Sequence, residues 1–258
     1  MQFQLTLRRT GLANRLPLNY QYPISAWIFK VIARADADYA TFLHNQGYQA
    51  RHKNFKLFTF SRLGLANPHV QGDRLVLTSP EARLRVSFYL DRAAEPFVAG
   101  LFAHQRCGLG DAQSQVDFEV VQVEALPLPA LAPTLRLRAL SPLVVGRRNE
   151  RGHYDYLPPS DPDFGPLLRQ NLVDKYVATG QPLDPAWADA PFDLRPGDRE
   201  PKSQLITIKQ GEPGQTKVRG FLFDFALTAP PPLLELGLLA GLGRHNAEGF
   251  GCVGVAGP

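Results

Sequence analysis

The sequence predicts an α+β protein made of two tandem ferredoxin-like domains, the βαββαβ arrangement also used by RRM-like RNA-recognition modules. Three observations predict it. Strand-type and helix-type hydrophobic periods follow the order β-α-β-β-α-β, and that order occurs twice. A proline-rich stretch, LPLPALAP (Leu126 to Pro133), separates the two occurrences as a stiff linker. The second occurrence closes with a glycine-dense loop ahead of its last strand. The repetition is one of element order, without strong sequence self-similarity. It places the domains at 1–125 and 133–258, each an antiparallel sheet backed by helices.

Phe3, Leu5 and Leu7 alternate as the opening strand. YPISAWIFKVIAR reads as a helix, with Pro23 in a tolerant first turn and Ile24, Trp27, Ile28, Val31 and Ile32 on one face. A short helix, ADYATFL, should end near His44, where Asn45 and Gly47 are stop signals. FKLFTFSRL, RLVLTS and ARLRVSFYL alternate as strands. DRAAEPFVAGLFAHQ is a second helix whose first turns Pro96 disturbs, and VDFEVVQVEAL is a closing strand. Past the linker, TLRLRALS is a strand and PLLRQNLVDKYVATG a helix ended by Gly180. SQLITIKQG and TKVRGFLFDFALT form a hairpin pair, PPLLELGLLAG a helix and GFGCVGV the last strand.

Composition narrows the class. The 258 residues are 44% hydrophobic and 20% charged with a net charge of +4, which describes a soluble globule that tolerates a polyanionic partner. Cys107 and Cys252 have no C-x-x-C or metal-type spacing, which suits a reducing cytoplasm. The N-terminal segment alternates like a strand and lacks a signal peptide's apolar run. No uncharged apolar stretch approaches the roughly 20 residues of a membrane span. No H-E-x-x-H motif, cysteine pair or close His/carboxylate cluster points to a metal or other cofactor. Asp161 and Asp163 read as a helix start.

The glycine-dense segment GLLAGLGRHNAEGFGCVGV has the spacing G-x-G-x5-G-F-G, with Arg244, His245 and Asn246 at its centre. It follows a helix, so the negative end of the helix dipole faces it; this differs from the dinucleotide fingerprint, which opens a helix. An anion there would be held by backbone N–H groups, Arg244 and His245. This loop, together with LNYQYPISAWIFKVI, TFLHNQGY, FKLFTFSRL, SPLVV and NLVDKYVATGQPL, closely resembles the CRISPR repeat-RNA-processing endoribonucleases of the RAMP superfamily. The resemblance spans nearly the whole chain. Composition and spacing by themselves reach only two ferredoxin-like domains compatible with RNA binding.

The resemblance implies metal-free cleavage of CRISPR repeat RNA, assisted by His44 in FLHNQGY and Lys56 in FKLFTFS. Where some members carry a helix tyrosine, this chain has Phe29; either His44 and Lys56 act alone, or another group substitutes, with Tyr22, Tyr48 and His52 as nearby candidates. The chemistry suits these residue types. The ribose 2′-OH attacks the adjacent phosphorus and expels the 5′-oxygen, which needs proton transfer and a cation beside the phosphorane. Histidine supplies the first near neutrality, and lysine or arginine the second. A helix C-terminus also favours the imidazolium that a general acid requires.

Read singly, His44 is an ordinary helix-end residue and Lys56 a solvated strand residue; the family match turns both toward catalysis. Candidate RNA contacts are His52 and Lys53 in the basic run RHKNFK, Arg147 and Arg148, the hairpin residues Lys202, Lys209, Lys217 and Arg219, and Arg244 with His245. Arg136, Arg138 and Arg151 could join them, although solvated edges account for several. Trp27, Phe29 and Phe58 are expected in the core, and Asp174–Tyr176 as packing with a surface ion pair. CRISPR effector subunits or a second copy of the chain are further possible partners. The competing function is a non-catalytic RAMP subunit that holds guide RNA; a two-histidine phosphoesterase is disfavoured because no pair of H-x-T/S motifs exists.

Overall fold

Alternation in the first segment buries Phe3, Leu5 and Leu7 on one face of strand β1 (Gln2–Arg9). In the computed structural model, which describes residues 1–150, 152–211 and 213–256, β1 is central in an antiparallel sheet. Helix α1 (Gln21–Ala35) buries the face carrying Ile24, Trp27, Ile28, Val31 and Ile32. Helix α2 (Ala37–Asn45) starts after Asp36, whose carboxylate accepts from the Tyr39 N–H at 2.8 Å. Strands β2 (Phe58–Phe60) and β3 (Glu81–Phe88), helix α3 (Asp91–Ala103) and strand β4 (Gln115–Leu126) complete the unit. The sheet order is β4-β1-β3-β2, the ferredoxin-like order, with Arg106–Gly110 added outside β4. Helix α3 runs through Pro96. The RLVLTS segment contributes Arg74–Val76 to a small separate sheet with Arg15–Pro17 and His69–Gln71.

The order recurs with β5 (Thr134–Ala139), α4 (Phe164–Ala178), β6 (Asp193–Pro196), β7 (Asp224–Thr228), α5 (Pro231–Ala240) and β8 (Val253–Val255). Its sheet runs β8-β5-β7-β6, again antiparallel. One expectation fails here. The hairpin of Lys202–Ile208 and Thr216–Leu222 is a separate two-stranded ribbon, and the second sheet strand is the short β6 instead. TKVRGFLFDFALT breaks at Phe223, whose carbonyl accepts from the Ala139 N–H at 3.0 Å, so the chain changes partners midway.

Helix α5 is apolar around most of its circumference, with Leu233, Leu234, Leu236, Leu238 and Leu239 all buried and Glu235 its one charged residue, as a helix covered on most sides must be. It packs on α4 and β8 of its own half and on β2 and β3 of the other. Gln2 crosses between the halves to donate to the Leu238 carbonyl at 3.0 Å. The end of α5 therefore delivers the glycine-rich loop onto β2 and α1, where Thr59 Oγ1 donates to the Phe250 carbonyl at 3.0 Å. Gly249, at φ +87°, permits that approach; a Cβ there would lie 2.6 Å from the Phe60 ring.

Candidate active site

A cleft of about 970 Å³ opens between the end of α2, the Lys53–Leu57 segment and α1 on one side, and the glycine-rich loop on the other. His44 projects from the last turn of α2. Its Nδ1–H donates to Asn45 Oδ1 at 2.9 Å, and its ring stands edge-on to Phe29 with centroids 5.3 Å apart. Gly47 ends this helix at φ +63°, and a Cβ there would sit 2.5 Å from the Phe55 carbonyl oxygen. The chain can therefore fold back tightly through the Tyr48–Ala50 and Lys53–Phe55 hairpin to bring Lys56 beside His44. Lys56 Nζ donates to the His44 carbonyl at 2.7 Å, at the negative end of α2. Burial lowers the Lys56 pKa from its ordinary value. An ammonium has three donors, so Lys56 can grip this carbonyl and still face a phosphate.

His52, Lys53, Lys209, Arg244 and His245 line the same cleft. The charge of Lys53 is already engaged: its Nζ lies 2.6 Å from Asp174 Oδ2. Asp174 is only 1% exposed and also accepts from Gln170 Nε2 at 2.7 Å, so the ion pair expected at the surface has a buried carboxylate. The centre of the glycine-rich loop, Arg244 to Asn246, is half-buried. The Arg244 guanidinium stacks 4.0 Å over the Tyr154 ring, and its backbone N–H donates to the Val144 carbonyl at 2.9 Å. His245 takes a left-handed backbone conformation at φ +61°. Its Nδ1–H donates to Glu248 Oε2 at 2.6 Å.

Two residues of this site escaped the sequence reading. Lys175 is 2% exposed beneath the loop and donates to the Gly241 and Gly243 carbonyls at 2.5 and 3.0 Å. Desolvation pushes its pKa down to about 7. The available signal was a lysine on the buried stripe of Phe164, Leu168 and Leu172. The other is Glu248, three residues after His245 and brought back to it by the turn Asn246–Glu248. Of the substitutes for a helix tyrosine, Tyr22 and His52 line the cleft, whereas Tyr48 packs against Phe42. Trp27 and Phe58 are core residues as expected, but Phe29 is only half-buried.

The remaining basic candidates among the described residues lie outside this cleft. Arg147 pairs with Asp163, Arg148 Nε donates to the Gly152 carbonyl at 3.2 Å, and Arg151 lies outside the described residues. Arg219 Nη1 donates to Ser203 Oγ at 2.7 Å on the hairpin ribbon, where Lys217 pairs in register with Thr207. Lys202 borders a second groove of about 450 Å³ with Arg62, Arg83, Arg85, Arg138 and Arg199. There Arg138 makes two 2.8 Å hydrogen bonds to Asp224, and these hold the Asp224 carboxyl below the usual carboxylate range. Among the described residues, no group of three or more His, Cys, Asp or Glu side chains could hold a metal ion, and no helix is long and apolar enough to cross a membrane.

Comparison with known proteins places the chain. Residues 15–124 match the family described as CRISPR-associated protein Cas6, N-terminal, and residues 129–255 match CRISPR associated protein Cas6, C-terminal. The CRISPR-associated endoribonuclease Cas6 of Pyrococcus furiosus is 25% identical over 252 residues, covering 95% of this chain and 85% of the relative. The CRISPR-associated endoribonuclease Cas6 1 of Methanocaldococcus jannaschii is 27% identical over 257 residues, covering 98% and 92%. A solved structure of a Cas6-related protein from Pyrococcus furiosus shares the fold at a TM-score of 0.83 and 20% identity, covering 99% of this chain and 98% of that one. With two matched segments that together run over nearly its whole length, the chain belongs to the Cas6 family of CRISPR-associated proteins.

Proposed function

We propose that this Cas6 protein is a metal-independent endoribonuclease that cuts CRISPR repeat RNA by 2′-OH attack, with units 1–125 and 133–258 each forming part of the RNA surface. The observation that carries the proposal is the joining of His44 and Lys56 in one cationic cleft by a 2.7 Å hydrogen bond. His44 protonates the departing 5′-oxygen, and Lys56 stabilises charge on the phosphorane. The products are a 2′,3′-cyclic phosphate and a 5′-hydroxyl. Glu248 is the one carboxylate among the described residues lining the cleft, against the cations Lys56, Lys209 and Arg244, a balance that favours phosphate over a divalent ion. The second basic groove offers further phosphate contacts for the same RNA. Two buried free cysteines suit a reducing cytoplasm.

The alternative, a non-catalytic subunit that holds guide RNA among effector subunits, is favoured only by Phe29, which brings no hydroxyl to His44. Incubation of the purified protein with labelled repeat RNA in EDTA separates the two. Full cleavage is expected, blocked by a single 2′-deoxy substitution before the cut. A strict Mg²⁺ requirement, or normal cutting of the deoxy RNA, overturns the mechanism.

A further inference from the structure

We propose that His245 is a second proton-transfer residue of this cleft, the base that activates the ribose 2′-OH, and that Glu248 is its positioning residue. The inference rests on the ribonuclease reading above and deepens it. Attack and departure each move a proton, and a single imidazole cannot occupy both ends of an in-line displacement at once. His44 comes from α2; His245 enters the same cleft from the glycine-rich loop. A carboxylate only accepts, so its 2.6 Å contact with Glu248 fixes the proton on Nδ1 and leaves Nε2 as the atom that can take another. Glu248 also compensates the imidazolium that forms when it does.

The loop holds this pair rigidly. Asn246 Nδ2 donates to the Leu242 and Phe250 carbonyls at 3.1 Å each, and Ser25 Oγ of α1 donates to the Ala247 carbonyl at 2.7 Å. Lys175 grips the loop from below. The other charged or titratable groups at this corner are Arg244, Lys209, Tyr22, Tyr154 and Tyr156. Arg244 and Lys209 carry no free electron pair when charged, so Nε2 of His245 is the acceptor here. In the step itself, His245 Nε2 accepts the 2′-OH proton as the 2′-oxygen bonds to phosphorus. The bond from phosphorus to the 5′-oxygen breaks, and that oxygen takes its proton from His44. The imidazoles finish with their protonation states exchanged, and solvent resets them.

The test uses His245→Gly in the full-length protein. Glycine accepts a φ of +61° without strain and leaves a hole for added imidazole. Cleavage is expected to fall by about 10²-fold or more, with affinity for a 2′-deoxy repeat RNA retained. Added imidazole should restore the rate in proportion to its neutral form, which neither a structural nor a phosphate-holding role would produce. His245→Asn, also tolerant of this backbone, should show the same loss and serves if the glycine variant fails to fold. Full-rate cleavage by both variants, or a loss explained by affinity alone and unrescued, overturns the assignment while the deoxy block preserves the ribonuclease reading. Normal cutting of deoxy RNA by the wild type would instead remove that reading.

Discussion

Replacing Lys175 by methionine should change how stability depends on pH. The side chain is buried, and desolvation lowers its pKa from an ordinary 10.5 to about 7. Between those values the unfolded chain binds one proton more than the folded protein, so unfolding becomes harder as pH rises. The slope is about 1.4 kcal/mol per pH unit, which makes the full window worth about 5 kcal/mol. Lys175→Met abolishes this term and leaves the Gly241 and Gly243 carbonyls without their donor, at about 1–3 kcal/mol each. The wild type should therefore gain on the variant by roughly 4 kcal/mol from pH 7 to pH 10. Urea unfolding followed by tryptophan fluorescence, at several pH values, measures the difference, in which all other titrations cancel. Parallel stability curves for the two proteins across that window would refute the buried, proton-shedding lysine.

Three further outcomes follow from the site. His44→Ala should bind repeat RNA almost normally and lose about 10²-fold or more in single-turnover cleavage; Lys56→Ala should lose less, since Lys209 and Arg244 line the same cleft and can supply part of its charge. Gly249→Val should reduce the yield of folded protein or lower its melting temperature, because valine is strained at φ +87° and would meet the Phe60 ring; an unchanged melting temperature would show that the loop relaxes at no cost.

Legibility in the sequence followed locality. Strand β1 and helix α1 were readable because their apolar periods are regular, and the glycine-rich loop because its spacing is unusual. Strand β6 was not: it has four residues, ends at Pro196 and sits among charges, so its place is fixed by pairing with β7. The neighbouring hairpin has the stronger alternation and drew the assignment away. His44 and Lys56 came from resemblance; their hydrogen bond depends on the turn at Gly47. Pairings such as Lys53 with Asp174, or Lys175 with the Gly241 carbonyl, join positions far apart in sequence, and no local pattern encodes them.

The cleft is built from segments on opposite sides of the chain's central linker, around residues 44–56 and 243–248. Its integrity is therefore a property of docking. Docking rests on the bonds from Gln2 to Leu238, Ser25 to Ala247 and Thr59 to Phe250, and on a second core that takes in Ala50, Phe55 and Leu57 of the first half. A molecule opened along these contacts would keep its helices, its strands and the proposed His44–Lys56 pair, and would lose the glycine-loop wall of the cleft. RNA cleavage is then a more sensitive gauge of the native state than circular dichroism, and an RNA that touches both halves acts as a clamp, stabilising the arrangement that cuts it.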